Sequence, residues 1–491
     1  MSILSRRQFL AAGASAVVMA SAPRLSLAAA SAPINLSITR RTIEVAGKSA
    51  TVFGLVQPDG TSGVIAQAGD RLRLNLTNRS GEAALIHWHG QTPPVAQDGV
   101  PGIGQEPLAN NQSWNYDFPL RPGTHWMHSH HGLQEQNLMA APLIVREDPS
   151  ADIQEAVVLL HDFTFTDPAE LLSRLQGSAA GMGGHGGHSA PMTHTGAPAI
   201  DHEAHMRQMD HTMSTAAPGM PFGHANDIEY DAYLANDRTL DDPEVVQVDK
   251  GGRVRLRLIN GATATAFWIN TGALTARVLT VDGNPVLPVS GTRFPLAMGQ
   301  RLDLLVEIPR EGGAFPILAE REGAIERTGV VLVTKGADLP RITVDGETET
   351  DLLDLNFERS LRAAQPLPKK AADRHLEVIL GQAMGQYLWT LNGRTHGQDD
   401  PIAVRKGERV EITFINQSMM MHPMHLHGHH FQVVAFGGER FDGPVRDTVI
   451  TPSGTSAVTI AFDADNSGRW PLHCHNLFHM AAGMMTTVNY G

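Results

Sequence analysis

The sequence predicts an all-β chain of three β-sandwich domains, and three observations predict it. A glycine turn, a run of apolar/polar alternation and a closing asparagine recur as Gly69–Asn78, Gly252–Asn260 and Gly407–Asn416. Alternation with period two marks a strand buried on one face. The copies stand about 150–180 residues apart, one per domain-sized block. Strand-like runs broken by Gly, Pro and Asn fill much of the chain, and sustained helical periodicity is rare.

Taken in order, the chain opens with Ser5-Arg6-Arg7-Gln8-Phe9-Leu10, an apolar stretch and Ala28-Ala29-Ala30. A positive start, a short apolar core and small residues near a cleavage point describe a signal peptide over residues 1–30. The paired arginines point to twin-arginine export, hence to the periplasm. Domain one is expected over 32–146, domain two over 152–335, a charged linker over 336–373 and domain three over 374–491. A Met/His-rich insert, 178–224, interrupts domain two with seven histidines, six methionines and one aromatic residue. That composition cannot pack a core, so the insert is read as solvent-exposed.

The 491 residues carry a net charge of −13, which argues against nucleic acid as a partner. No run of ~20 apolar residues would make a membrane span. A single cysteine excludes intrachain disulfides and multi-cysteine zinc sites. The 24 histidines and 19 methionines cluster, and they carry the functional information.

Four short stretches place histidines two apart: His87-Trp88-His89, His128-Ser129-His130, His425-Leu426-His427 and His473-Cys474-His475. Residues i and i+2 of a strand share a face, so each pair presents two imidazoles side by side. Gly123 to His130 also matches Gly468 to His475, with the histidines equally far from the glycine. Domain two has Phe267-Trp268-Ile269 after its repeat strand and no such pair. Domains one and three are therefore expected to share a metal site, with domain two as a spacer. Cys474 must point to the opposite strand face from its neighbours. With His422, His479 and Met484 nearby, it suggests two imidazoles, a thiolate and a weak thioether, the donor set of a blue-copper electron-transfer site.

These motifs resemble the multicopper oxidases, in particular the bacterial copper-tolerance cuprous oxidases and bacterial laccases. The resemblance covers nearly the whole mature chain and rests on His473 to Met484 and His422 to His427. It implies three cupredoxin-like Greek-key β-sandwich domains and four copper ions. The type 1 copper would take His422, Cys474, His479 and Met484. The type 2 copper would take His87 and His425, and the type 3 pair His89, His128, His130, His427, His473 and His475. The implied reaction is one-electron oxidation of a substrate coupled to four-electron reduction of O2 to water. Asp98 matches the family's acid near the type 2 copper and is read as a proton donor or relay, with a turn aspartate before Gly99 as the alternative. Met480 stands where copper-tolerance relatives often carry a second acid.

Cu(I) is the expected reductant, with phenols secondary. In a helix, His202, His205, Met206, Met209 and Met213 would share one face, and thioethers favour Cu(I). An apolar stripe docking that helix is the alternative. Met420 matches a methionine that holds substrate Cu(I) in the copper-tolerance enzymes, but the aspartate beside it is Ser418 here. His125, His131, His429 and His430 are read as flanking groups, and His161, His375 and His396 as structural. Asp447 is read as orienting a ligand histidine or as making a strand-end hydrogen bond. The competing functions are a general laccase acting on phenols and a non-catalytic periplasmic copper buffer. A monomer is expected.

Overall fold

The computed structural model describes residues 32–147, 153–182, 225–454 and 457–491. The expected signal peptide and most of the expected insert, including His202, His205, Met206, Met209 and Met213, lie outside the described residues.

Three pairs of sheets follow one another along the chain. Each pair encloses its own apolar core. The three repeats become the strands Arg71–Asn78, Arg253–Asn260 and Arg409–Asn416. Each lies parallel to the first strand of its own sandwich, which are Ile34–Val45, Gln154–Phe163 and Arg374–Gln382. Their apolar positions face inward: Leu72, Leu74 and Leu76 are at most 1% exposed.

The asparagine that closes each repeat is fully buried, and its side chain organises the loop that follows. Asn78 Nδ2 donates to Glu82 O and Leu108 O. Asn260 Nδ2 donates to Thr265 O and Leu296 O. Asn416 Nδ2 donates to Met420 O, Thr451 O and Pro452 O. An amide satisfies several buried backbone carbonyls that an apolar side chain would leave orphaned. The next strand of each sandwich is thereby aimed: Ile86–His89, Phe267–Asn270 and His422–Leu426.

The helix Pro168–Met182 starts from Asp167, whose carboxylate accepts the Ala169 amide. Leu171, Leu172 and Leu175 seat it on the core of the third sandwich. Residues 336–373, expected as a linker, hold little regular structure beyond the helix Asn356–Ser360. They are nonetheless packed, because Leu361 is fully buried in the second core. Arg446 also pairs with Glu358 through two hydrogen bonds of 2.7 and 2.9 Å.

Candidate metal centre

Strand register brings eight imidazoles together between the first and third sandwiches. His87 lies opposite His128, and His425 opposite His473. Alternation turns Trp88 into the first core and Met424 and Cys474 into the third. His87, His89, His128, His130, His425, His427, His473 and His475 are all at most 9% exposed.

Proton positions follow from the partners, since carbonyls and carboxylates accept. Nδ1–H donates from His87 to Asp98 O (2.9 Å), from His128 to Ser129 O (3.1 Å) and from His425 to Asp447 O (2.8 Å). It donates from His427 to Asp98 Oδ2 (2.8 Å) and from His473 to Cys474 O (2.9 Å). The Nε2 lone pairs of these rings therefore face one another. Those of His87, His128 and His425 are buried without a partner. That of His473 lies 3.0 Å from His427 Nε2 and 3.4 Å from His130 Nε2. His89 is reversed: its Nε2–H donates to Asp447 Oδ1 at 3.1 Å, and its buried Nδ1 has no partner.

Protons cannot neutralise this convergence. Burial, then the neighbouring imidazoles, hold His128, His130 and His475 well below the ordinary histidine range. Burial brings His473 down to about 4. Neutral imidazoles with lone pairs turned inward fit metal cations, and copper suits such donors. The eight rings interlock rather than fall into separate groups, with His87 also 3.8 Å from His427 and His89 3.8 Å from His425 between ring centres. The ligand atoms of His130, His427 and His473 lie within 4.8 Å of one another. The rings of His89, His128 and His475 are 5.0–5.6 Å apart, and those of His87 and His425 are 5.8 Å apart.

On the other face of the same strand, Cys474 Sγ lies 3.5 Å from His422 Nδ1 and 3.7 Å from His479 Nδ1. The two nitrogens are 3.1 Å apart. His479 sits in the helix Leu477–Ala481, whose first turn Asn476 caps through the Phe478 and His479 amides. Met484 is fully buried, and its carbonyl accepts the Cys474 amide. Burial pushes the free thiol up, so the thiolate needs a cation beside it. Two imidazoles, a thiolate and a nearby thioether fit copper.

The supporting residues explain why the rings stand as they do. Asp98 is fully buried, and its carbonyl and Oδ2 hold His87 and His427. Gly99 next to it has φ +82°, and a Cβ there would meet Ile86 O at 1.7 Å. Asp447 holds His425 through its carbonyl and His89 through its carboxylate, so it orients ligand-type histidines, one of the two roles expected. The second sandwich is more than a spacer. Its Arg301 grips Asp447 at 2.7 and 2.5 Å. Of the flanking histidines, His125, His429 and His430 bond to backbone carbonyls, as does His161, read as structural. Met420 is half-buried against the third core, and its neighbour Met419 is 71% exposed. Ser418 Oγ is 2.7 Å from His422 Nε2.

Sequence reasoning missed several groups. Asp227 Oδ2 accepts His479 Nε2–H at 3.2 Å and the Tyr387 hydroxyl at 2.8 Å. Trp389 stacks 4.0 Å from His479. Glu135 lies 3.0 Å from His128 Nδ1, and burial raises its carboxyl well above the usual range. None of these sits in a spaced motif, so no sequence signal marked them.

Sequence-family profiles described as multicopper oxidase match residues 38–150, 155–336 and 370–491. The chain is 32% identical to Multicopper oxidase MmcO of Mycobacterium tuberculosis over 87% of its own length and 80% of that protein. It is 27% identical to Copper resistance protein A of Escherichia coli, covering 86% of each. Among solved structures, the laccase from Botrytis aclada superposes with TM-score 0.73 at 23% identity, over 92% of this chain and 86% of that one.

Proposed function

This chain belongs to the multicopper oxidase family, an oxidoreductase family of cupredoxin-like sandwiches, and we propose that it is a cuprous oxidase. It oxidises Cu(I) one electron at a time and passes four electrons to O2, giving water. One observation carries the oxidase part of this reading. Cys474 and its neighbours His473 and His475 face opposite sides of one strand, so adjacent residues join a sulfur–nitrogen site to the eight-histidine pocket.

Four copper ions, when bound, supply the electron storage and the O2-reducing chemistry. His422, Cys474, His479 and Met484 would hold the type 1 ion, and His87 and His425 the type 2 ion. The triads His89/His128/His475 and His130/His427/His473 would hold the type 3 pair. Most of these rings would offer Nε2, His89 its unpartnered Nδ1, and His422 and His479 the Nδ1 atoms beside Cys474. Asp98 would supply protons beside the type 2 position, with its buried Oδ1 3.3 Å from His87 Nδ1.

Two features support Cu(I) as reductant. Met420 and Met480 are half-buried beside the third core, and thioethers favour Cu(I). The segment after 183–224 is also anchored at His479, which Asp227 bonds, and the helix before it packs Leu171 on the core of the third sandwich. The insert would thus deliver Cu(I) through His202, His205, Met206, Met209 and Met213, with Met420 nearest the type 1 position. The likeness to Copper resistance protein A agrees with this. Export by the twin-arginine signal would place the reaction in the periplasm. A laccase reading is favoured by Asp227, whose carboxylate could take the proton of a phenol as its electron leaves through His479.

The test is O2 uptake with Cu(I) as sole reductant, comparing the copper-loaded chain with one lacking 178–224. A steep loss of Cu(I) oxidation with phenol oxidation spared or raised supports the cuprous oxidase. Parallel changes, or none, favour the laccase.

A further inference from the structure

A cavity of about 460 Å³ opens where all three sandwiches meet, away from the His479 rim. Its walls include Thr92 and Arg121 from the first sandwich, Asn284 from the second, and His430 and Asp465 from the third. Arg121 is the unusual wall residue. Its half-buried guanidinium bonds Asn284 Oδ1 through Nη2 at 3.2 Å, while its buried Nε–H has no partner. The acids that could serve it are engaged or distant. Asp447 is gripped by Arg301, and Asp463 by Arg409. Asp447, and then Asp465, act on it through space without an ion pair, while burial outweighs both. Arginine keeps its charge in proteins, and a cation taken out of water without a counter-ion is costly.

We propose that this cavity is an anion site, in which the guanidinium of Arg121 takes a small oxyanion of the inorganic phosphate or carboxylate class. The guanidinium fork matches both geometries. Asp465 is exposed at the mouth, where solvent and salt screen it. The site is tied to the metal pocket. Asn284 Nδ2 donates to His430 Nδ1 at 2.9 Å, and His430 Nε2–H donates to the carbonyl of Gly90, the residue after His89. A bound anion would therefore fasten three sandwiches at the edge of the histidine cluster.

The test is calorimetric titration of inorganic phosphate, and separately of acetate, into the copper-loaded chain in oxyanion-free buffer, with thermal unfolding alongside. The expected result is saturable binding that raises the melting temperature and is at least tenfold weaker in Arg121→Gln. Without anion, Arg121→Gln should melt no lower than the parent, because it removes an uncompensated charge. Asp465→Asn should tighten binding. Whichever of phosphate and acetate binds names the class. Binding by neither, equal binding to Arg121→Gln, or a fall in the stability of anion-free Arg121→Gln overturns the proposal. So does a less stable Asp465→Asn with no gain in affinity, which would make Asp465 the arginine's own partner.

Discussion

Arg446→Met should destabilise the protein by stranding the buried Glu358 carboxylate and leaving buried Asp282 with Arg301 as its one remaining cation. Arg446 is 3% exposed and pairs with Glu358 at 2.7 and 2.9 Å and with Asp282 at 3.1 Å. Glu358 comes from the short helix in 336–373, and Asp282 from the second sandwich. Methionine keeps the bulk of the stem and removes the charge. Removing one partner of a buried pair costs ~3–5 kcal/mol. Unfolding entropy of ~2 cal/mol/K per residue over roughly 460 residues gives about 1 kcal/mol per degree, so the melting temperature should drop ~3–5 °C. The loss should depend on pH. Burial already raises the Asp282 carboxyl, with Arg446 and Arg301 pulling it back. Without Arg446 it rises further. An acid with a raised folded pKa weakens the fold above that pKa, and the penalty vanishes below the unfolded value of ~4. The deficit should therefore be largest near neutral pH and shrink as pH falls toward about 5. Differential scanning calorimetry of both proteins at the two pH values measures it. A drop under about 1 °C, or an equal drop at both, would refute the reasoning.

Asp98→Asn should slow O2 turnover ~10²-fold or more while the blue chromophore is still reduced by substrate at the parent rate, as stopped-flow absorbance would report. Ser418→Ala removes the 2.7 Å contact to His422 Nε2. It should shift the type 1 spectrum and potential and leave the melting temperature within about 1 °C, the effect expected of a group that orients a ligand. Asn416→Ala removes the amide that the buried Thr451 carbonyl and two half-buried loop carbonyls accept from and should cost ~1–3 kcal/mol with a disturbed type 1 spectrum. The matching Asn260→Ala should be similarly destabilised with the spectrum intact.

The chain announced its framework through repetition. Three similar strands, each ending in asparagine, and two His-x-His stretches at each end gave the sandwiches and the clustered imidazoles, because period-two alternation fixes which face each side chain takes. Cys474 was legible as facing away from His473 and His475 for the same reason. What stayed hidden were contacts made by tertiary closure. Asp227, Tyr387, Glu135 and Arg301 reach the site from distant segments. Nothing in local spacing distinguishes them from other acids, tyrosines and arginines. The asparagines were visible as a pattern, but their role in holding the following loop needed the carbonyls they bind.

The most direct measurement is the ratio of Cu(I) oxidised to O2 consumed by the copper-loaded chain, with peroxide assayed alongside and Cys474→Ser as the control. The account predicts four Cu(I) per O2, no hydrogen peroxide, and loss of turnover in Cys474→Ser. Two Cu(I) per O2 with stoichiometric peroxide, or full activity without the Cys474 thiol, would contradict it.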